Sequence, residues 1–312
     1  MSKSAPILTL NLGSLTSGDP ERVDLFVESL RKAFGQTGFL FLENHGISQQ
    51  LIEKATRAMH AFFTQLTPEQ RSKYIVPGSH GQMGYTPMNI ERAEGAATED
   101  LKHFWHTHKG ECPDVEELPS FTLTQQMLYE EFTRVYRLVM QGVALSLGLP
   151  GNHFDFLEGD SLTRALHYPA HDNPQDDDAA IRRGGNIVGM CAAAHTDINM
   201  LTLLLAREPG LQLWHEGEWM SAHITNPNVL IVNVGDMLEH LTGGRYRSGK
   251  HRVVCQPGLE RFSVPHFGHV RGDTSIVPLA HLGPSDLEIY HFQTAGEFLL
   301  DRLAALGLLS KE

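Results

Sequence analysis

Cysteine is scarce in this sequence, and long apolar runs are missing from it. The chain has 312 residues and three cysteines, Cys112, Cys191 and Cys255. This small, odd and widely spaced set indicates a reducing compartment rather than a disulfide framework. No apolar run approaches the roughly 20 residues that span a bilayer, and the first residues, MSKSAPILTLNLGSL, lack the pattern of a signal peptide. We therefore expect a cytoplasmic protein without a membrane partner.

Clusters of basic residues are also missing. The formal net charge is −12, and the 25 lysines and arginines are scattered along the chain. Nucleic acid is therefore not an expected partner. Histidine is the abundant type, with 18 copies, and only spacing can indicate which of them carry chemistry. The sequence gives no indication of the oligomeric state.

The chain divides by pattern near Pro150. Helical periodicity dominates residues 1–150, whereas short apolar or alternating segments between turn residues recur after them. Such segments predict a β sandwich or barrel, of which the jelly roll is one standard form. We expect the helical and strand region, 1–150, to pack on a β core formed by 151–312 as one structural unit. The predicted elements of the first region are a helix capped by Asp19 and Pro20, a buried strand near residues 38–47, a helix from Ser48 to about Leu66, a capping box from Thr67 to Gln70, and a long helix from about Thr122 to Leu147.

The segment AHTDINMLTLLL, residues 194–205, contains polar residues within an apolar run. Alternate side chains of a strand share a face, so His195 and Asp197 are expected on one side, together with Asn199. A buried carboxylate needs a cation or hydrogen bonds, and an adjacent imidazole makes a shared metal ion a consistent answer. The pair alone is more often hydrogen-bonded in a core or turn. A further histidine is therefore required for a metal site.

His251, in RSGKHRVV, is the candidate for that second histidine. Two histidines and one carboxylate on one side of a divalent metal form the arrangement of non-heme Fe(II) oxygenases. Arg261 and Ser263, in RFSVPHF, share a strand face, and a planar guanidinium suits bidentate binding of a carboxylate. The pattern thus predicts a metal ion and a carboxylate anchor in one core.

Five sequence segments, which follow one another along the chain, together resemble one known family. GFLFLENHGI, LHYPAHDNP, HTDINMLTLLLAREPGLQLWHEGEW, VNVGDMLEHLTGGRYRSGKHRVV and RFSVPHF resemble the isopenicillin N synthase-like branch of the Fe(II) and 2-oxoglutarate dependent oxygenases, over about residues 5–280. The resemblance implies a mainly β fold with flanking helices, whose core is a double-stranded β-helix, the jelly roll. It implies that His195, Asp197 and His251 are the catalytic iron ligands, and that Arg261 with Ser263 binds the distal carboxylate of 2-oxoglutarate.

Tyr168, in LHYP, matches a family tyrosine that faces cosubstrate or substrate, although a tyrosine with its hydroxyl at the strand rim explains it equally well. Leu166 departs from the family, because many plant relatives have a polar residue there. The resemblance further implies an enzyme that uses Fe(II), 2-oxoglutarate and O2 to hydroxylate, desaturate or cyclise a small molecule, with release of succinate and CO2.

Other functions stay open at this point. An oxidase of the isopenicillin N synthase type, which does not use 2-oxoglutarate, has the same motifs, and a non-catalytic ligand sensor would keep the metal site. A zinc hydrolase is disfavoured by the carboxylate and the anion anchor. His103, His106 and His108 are expected in solvated or packing roles, and Asp236 in a turn. The substrate pocket is expected to include Met83, Tyr85, Asn199, Leu201 and the C-terminal segment.

Overall fold

The computed structural model describes most of the chain. It covers residues 7–305 apart from 80, 89, 91–101, 111, 156–158, 160, 171–180, 184, 185, 189, 223, 225, 227, 255–257 and 287. Cys255 and most of the charged segment 175–183 lie outside the described residues. Among those described, no helix is long and apolar enough to cross a membrane.

Two β-sheets form the core. The strands are β1 (Leu8–Asn11), β2 (Phe39–Glu43), β3 (Gly84–Thr86), β4 (His103–Thr107), β5 (Leu162–Tyr168), β6 (Ile181–Arg183), β7 (Asn186–Val188), β8 (Met190–His195), β9 (Leu201–Ala206), β10 (Leu211–His215), β11 (Glu218–Ser221), β12 (Leu230–Val234), β13 (His251–Val254) and β14 (Arg261–Gly268). The larger sheet has eight strands in the order β1-β2-β12-β9-β14-β5-β4-β3, and the smaller has four in the order β11-β10-β13-β8. Side chains from both sheets pack together in one apolar cluster between them, which confirms the predicted jelly roll.

Helices cover the larger sheet. They are α1 (Leu12–Leu15), α2 (Pro20–Gln36), α3 (Gln49–Gln65), α4 (Pro68–Ser72), α5 (Phe121–Ser146), α6 (Asp236–Leu241) and α7 (Ala295–Ala305), with a 3-10 turn at Ala280–Leu282. Helix α5 packs against α1, α2, α3 and β14. The largest apolar cluster lies in this layer, where the helices bury Phe34, Phe62 and Phe132 completely.

The predicted helix starts are confirmed. The side chain of Asp19 accepts a hydrogen bond from the Glu21 amide at the start of α2. Thr67 and Gln70 form both hydrogen bonds of the capping box at the start of α4. The strands before Pro150 join the same sheet as those after it, since β2 pairs with β12 and β4 with β5. The division into 1–150 and 151–312 stays a prediction about folding units.

The run 194–205 is not one strand, and here the expectation is wrong. β8 ends at His195 in the smaller sheet, and β9 begins at Leu201 in the larger sheet. Residues 196–200 connect the two sheets, so strand alternation does not determine where Asp197 and Asn199 point. Periodicity could not reveal this break because the apolar run continues through it.

The cysteines also differ from expectation. Cys112 carries a free thiol, but Cys191 in β8 is disulfide-bonded. The expected cytoplasmic location therefore loses one of its arguments and stays a prediction.

Candidate metal centre and active site

Three side chains meet between the sheets where β8 ends and β13 begins. His195 and His251 occupy paired positions of these two antiparallel strands. The Nε2 atom of each lies 3.9 Å from Oδ1 of Asp197. One ligand atom from each of the three lies within 4.8 Å of the others. The structure therefore brings the three predicted residues together, as a common ion requires.

Each imidazole ring is oriented by a hydrogen bond at Nδ1, the nitrogen that does not face Asp197. Nδ1 of His195 lies 2.7 Å from the carbonyl oxygen of Ala193, and Nδ1 of His251 lies 2.8 Å from that of Gly249. A carbonyl only accepts, so each Nδ1 carries the proton and each Nε2 presents a lone pair to the centre. Burial, and to a smaller extent the adjacent His251, lower the pKa of His195 to about 4. Both effects favour a neutral ring, the form that binds metals.

Asp197 is oriented by two polar neighbours. Its Oδ2 accepts hydrogen bonds of 2.6 Å from Thr202 Oγ1 and 2.8 Å from Asn233 Nδ2. Burial by itself raises the pKa of this carboxyl, but the two histidines and these hydrogen bonds outweigh it, so the pKa lies below its usual value. The carboxylate form is thus maintained with Oδ1 directed at the histidines.

The start of α6 holds the connection that carries Asp197. The Asp236 amide donates to the Asp197 carbonyl at 2.7 Å, and the Gly235 amide donates to the Met200 carbonyl at 3.0 Å. A Cβ atom at Gly235 would lie 2.0 Å from the carbonyl oxygen of Asn199. Only glycine permits this close approach of two backbones.

Asp236, expected in a turn, is instead the first residue of α6. Its Oδ2 accepts a hydrogen bond from Thr196 Oγ1 at 3.2 Å and forms an ion pair with Arg302 of α7 at 3.4 Å. Burial raises the pKa of Asp236. This carboxylate therefore links the C-terminal helix to the connection beside the metal centre.

Arg261 and Ser263 lie in β14 on the face directed between the sheets, with Tyr168 beside them. Arg261 is 5% exposed, and its Nη1 donates to Ser263 Oγ at 2.9 Å. Its guanidinium carbon lies 5.3 Å from the centre of the Tyr168 ring, and Tyr168 is its pairing partner in β5. The buried Nε of Arg261 has no hydrogen-bond partner among the described residues. Leaving such a buried donor unpaired is costly, so an acceptor supplied by a ligand would stabilise it.

The metal centre and Arg261 open onto one pocket. The space between the lining atoms is about 580 Å³, open solvent at the mouth included. The polar part of the described lining has three groups of residues. They are the three central residues, the four neutral residues Tyr168, Thr202, Asn233 and Ser263, and the three basic residues Lys102, Arg164 and Arg261. The apolar lining consists of Phe39, Leu166, Ala192, Leu204, Leu211, Val253, Pro265 and Phe267.

The expected substrate-facing residues are not among the described lining. Tyr85 is buried, and its hydroxyl lies 2.9 Å from Nδ1 of His103. Asn199 bonds back to the Leu201 carbonyl, and Leu201 itself lies on the face of β9 opposite to Thr202 and Leu204. Met83 and residues of the C-terminal segment are likewise not among the described residues that line this pocket.

Four polar residues of the pocket were missed by sequence reasoning. They are Lys102, Arg164, Thr202 and Asn233. Arg164 could have been found, because it lies four residues before Tyr168 on the same strand face. Asn233 and Thr202 give no such signal, since their roles depend on how β9 and β12 pair.

The histidines of HFWHTH are in packing roles, and the solvated alternative is wrong for two of them. His103 and His106 are buried in β4. Nε2 of His103 lies 2.7 Å from Nδ1 of His167, whose Nε2 lies 3.1 Å from Glu260. Burial lowers the pKa of His103 to about 3, so this ring is neutral. His108 is exposed.

Two family models match this chain. The model described as the 2OG-Fe(II) oxygenase superfamily matches residues 159–270. The model described as the N-terminal region of non-haem dioxygenases in morphine synthesis matches residues 6–126. The first match contains the three central residues and Arg261.

Individual relatives agree with these matches. Leucoanthocyanidin dioxygenase of Malus domestica is 32% identical over 75% of this chain and 68% of its own length. Proline hydroxylase buaE of Petromyces alliaceus is 28% identical over 84% of this chain and 87% of its own. A crystal structure described as a 2OG-Fe(II) oxygenase family protein from Caulobacter crescentus is 32% identical, with a TM-score of 0.79 over 96% of this chain and 99% of the other.

Proposed function

The chain belongs to the 2OG-Fe(II) oxygenase superfamily, and on that premise we propose that His195, Asp197 and His251 bind the Fe(II) ion. The enzyme is an Fe(II) and 2-oxoglutarate dependent dioxygenase that acts with O2. The observation that carries the assignment of residues is the convergence of one carboxylate and two imidazole lone pairs within 4.8 Å.

The donor set fits Fe(II). Two neutral imidazoles and one carboxylate on one side of an ion leave positions for further ligands, as non-heme Fe(II) oxygenases require. The carbonyls of Ala193 and Gly249 hold the rings, while Thr202 and Asn233 hold the carboxylate. Such outer hydrogen bonds are typical of metal sites and orient the donor atoms.

Arg261 and Ser263 fit the distal carboxylate of 2-oxoglutarate. The buried guanidinium has an Nε without a partner among described residues, and a planar carboxylate matches its fork geometry. Burial lowers the pKa of Arg261, although a guanidinium stays protonated at neutral pH. An anionic ligand would therefore stabilise the buried positive charge, and the Ser263 hydroxyl offers a second hydrogen-bond donor to it.

The protein residues orient the reactants and exclude water. When bound, Fe(II) with 2-oxoglutarate reduces O2, and one oxygen atom enters the substrate while the other enters succinate as CO2 leaves. Tyr168 lies against Arg261 and limits where the cosubstrate chain can lie. The apolar walls, including Leu204 and Phe267, keep bulk water away from the reaction.

Hydroxylation of a small molecule is the proposed reaction. Support comes from a relative named as a proline hydroxylase, which resembles this chain over most of its length, and from the largely apolar lining of the pocket around the proposed metal centre. The expected balance is one substrate C–H, one O2 and one 2-oxoglutarate converted to one alcohol, one succinate and one CO2.

Succinate release tests this function. Purified protein with Fe(II), ascorbate and 2-oxoglutarate is screened against small organic molecules, and succinate is measured with O2 consumption. We expect substrate-stimulated succinate formation equal to product formation. Turnover of a substrate without 2-oxoglutarate consumption would instead indicate an oxidase.

A further inference from the structure

Helix α6 contacts both chain segments that lead to Asp197 and His251. On one side, the Asp236 amide donates to the Asp197 carbonyl at 2.7 Å. The Asp236 carboxylate accepts a hydrogen bond from Thr196 Oγ1 at 3.2 Å. These two bonds hold the backbone before and after the Asp197 side chain. The direction of that side chain therefore depends on the position of the first turn of α6.

The other side of α6 contacts the segment before His251. Oε2 of Glu239 accepts a hydrogen bond from the Ser248 amide. The next residue, Gly249, supplies the carbonyl that accepts from Nδ1 of His251 at 2.8 Å. A shift of α6 would thus move a support of His251 as well as the backbone of Asp197.

Three polar residues of α6 are in turn bound by residues from the C-terminal part of the chain. The pairs are Arg302 with Asp236 at 3.4 Å, Tyr290 with Glu239 at 3.2 Å, and the Phe292 amide with Nε2 of His240 at 3.1 Å. All three C-terminal partners lie beyond residue 270, where the match to the oxygenase superfamily model ends. They are also not among the described residues that line the pocket. The position of α6 is therefore fixed by residues outside the site itself.

The contact of Arg302 with Asp236 joins two opposite charges. The Asp236 side chain is only 15% exposed, and that of Arg302 is 33% exposed. An ion pair that is partly withdrawn from water is screened less than a surface pair, and loss of one partner leaves the other charge in a poorly solvated place. Without the Arg302 charge, a shift of the Asp236 carboxylate toward water is favoured, and the first turn of α6 shifts with it.

From these contacts we infer that Arg302 is a positioning residue of the metal centre. It acts through Asp236, whose amide and carboxylate hold the segment of Asp197. Tyr290 acts in the same way through Glu239. This inference rests on the proposed function, because it takes the three central residues as ligands of Fe(II). The C-terminal part of the chain thereby controls how tightly the metal ion is held.

Metal titration tests this inference. Metal-free wild-type protein and Arg302→Gln are titrated anaerobically with Fe(II), and separately with Co(II), whose visible absorption depends on the geometry of its ligands. We expect Arg302→Gln to lower the Fe(II) affinity by about three- to tenfold, less than the loss of a direct hydrogen bond to a ligand, and to change the Co(II) spectrum. Arg302→Lys keeps the charge and should restore part of the affinity.

A double-mutant comparison identifies the route of the effect. If Arg302 acts through Asp236, then Arg302→Gln should lower the Fe(II) affinity no further in a protein that already carries Asp236→Asn. Tyr290→Phe removes only the hydroxyl that donates to Glu239, and it should lower the affinity by about two- to fivefold. If Arg302→Gln does not fold, Tyr290→Phe tests the inference by the same two readouts.

Two control variants separate positioning from a general loss of stability. Asp301→Asn changes the exposed neighbour of Arg302 in α7. Arg134→Gln breaks the ion pair of Arg134 with Glu131, at 2.8 Å, in the helical layer. Both should bind Fe(II) within about twofold of the wild type, because neither residue contacts α6 through a described polar bond. Urea unfolding of the metal-free proteins measures the stability of each variant.

The outcomes separate this inference from the proposed function. Wild-type Fe(II) affinity and an unchanged Co(II) spectrum in Arg302→Gln would overturn the inference alone. An equal loss of affinity in Arg134→Gln would also overturn it, since lower stability would then explain both. A further loss in the protein that carries Asp236→Asn would exclude the route through Asp236. Failure of the wild-type protein to bind Fe(II) would contradict the proposed function itself.

Discussion

Thr202 donates its hydroxyl hydrogen to Oδ2 of Asp197 across 2.6 Å, and this leaves Oδ1 facing the two histidines. Thr202 pairs with Phe267 of β14 in the larger sheet, so the carboxylate orientation is tied to that sheet. The metal centre is therefore built by contacts between the sheets as well as by its three donor residues.

Loss of the hydrogen bonds to Asp197 should weaken metal binding. Thr202→Val preserves shape but removes the donor, and Asn233→Leu removes the second one. We expect each to lower Fe(II) affinity by about 10- to 100-fold, because supporting hydrogen bonds of metal ligands carry effects of this size. Anaerobic titration with Fe(II) measures the affinity of each variant for the metal ion. Thr56→Val is the control, since the Thr56 hydroxyl donates to the Ile52 carbonyl within α3. Equal affinities in all three variants would contradict the assignment.

Gly235→Ala should disturb the connection that carries Asp197. The added Cβ would lie 2.0 Å from the Asn199 carbonyl oxygen, so either the start of α6 or residues 196–200 must shift. We expect a loss of about 1–3 kcal/mol in the free energy of unfolding, as overpacking causes, and weaker Fe(II) binding. Gly35→Ala is the control in α2, where the nearest atom is 3.6 Å away. Unchanged metal affinity in Gly235→Ala would show that the connection tolerates displacement.

Substitutions of Arg261 and Ser263, the proposed cosubstrate anchor, should weaken 2-oxoglutarate binding to different degrees. Arg261→Gln removes the buried charge and should weaken 2-oxoglutarate binding by about 100-fold, whereas Ser263→Ala removes a neutral donor and should cost about tenfold or less. Fe(II) affinity in the absence of 2-oxoglutarate should stay within about twofold in both. A larger effect of Ser263→Ala than of Arg261→Gln would be inconsistent with a carboxylate on the guanidinium.

Buried His266 should make the protein sensitive to acid. The ring is fully buried against Phe132, and burial lowers its pKa to about 3. The unfolded chain takes up a proton near pH 6.5 but the folded protein does not, so stability is full above pH 6.5 and falls as pH decreases toward 3. At pH 5, this histidine alone should lower the free energy of unfolding by about 2 kcal/mol relative to neutral pH.

Histidine variants test whether His266 causes this loss of stability at low pH. Denaturant unfolding of His266→Gln should show a shallower loss of stability between pH 7 and 5 than the wild type. The exposed His291→Gln should retain the wild-type slope. Equal slopes in all three proteins would mean that His266 does not remain neutral in the folded state.

Sequence reasoning identified the three central residues because His195, Asp197 and His251 occur in segments of recognisable order and spacing. It failed where position depends on sheet pairing. The apolar run 194–205 conceals a change of sheet at residues 196–200, and Asn233 approaches Asp197 only because β12 pairs with β9. Tyr85 is expected in the pocket, but its ring packs against Phe62 of α3 and its hydroxyl is hydrogen-bonded to His103. Local patterns therefore predicted the three residues that meet between the sheets, and not the residues that hydrogen-bond to them.

Anaerobic titration of Fe(II)-loaded protein with 2-oxoglutarate tests the central claim most directly. Chelation of the keto acid by Fe(II) gives a weak visible absorption band, and the account predicts that this band appears at one equivalent of iron in the wild type. It should be absent in His195→Ala, which loses one donor, and should need much more 2-oxoglutarate in Arg261→Gln. A band of wild-type intensity and affinity in His195→Ala would contradict the assignment of the metal centre.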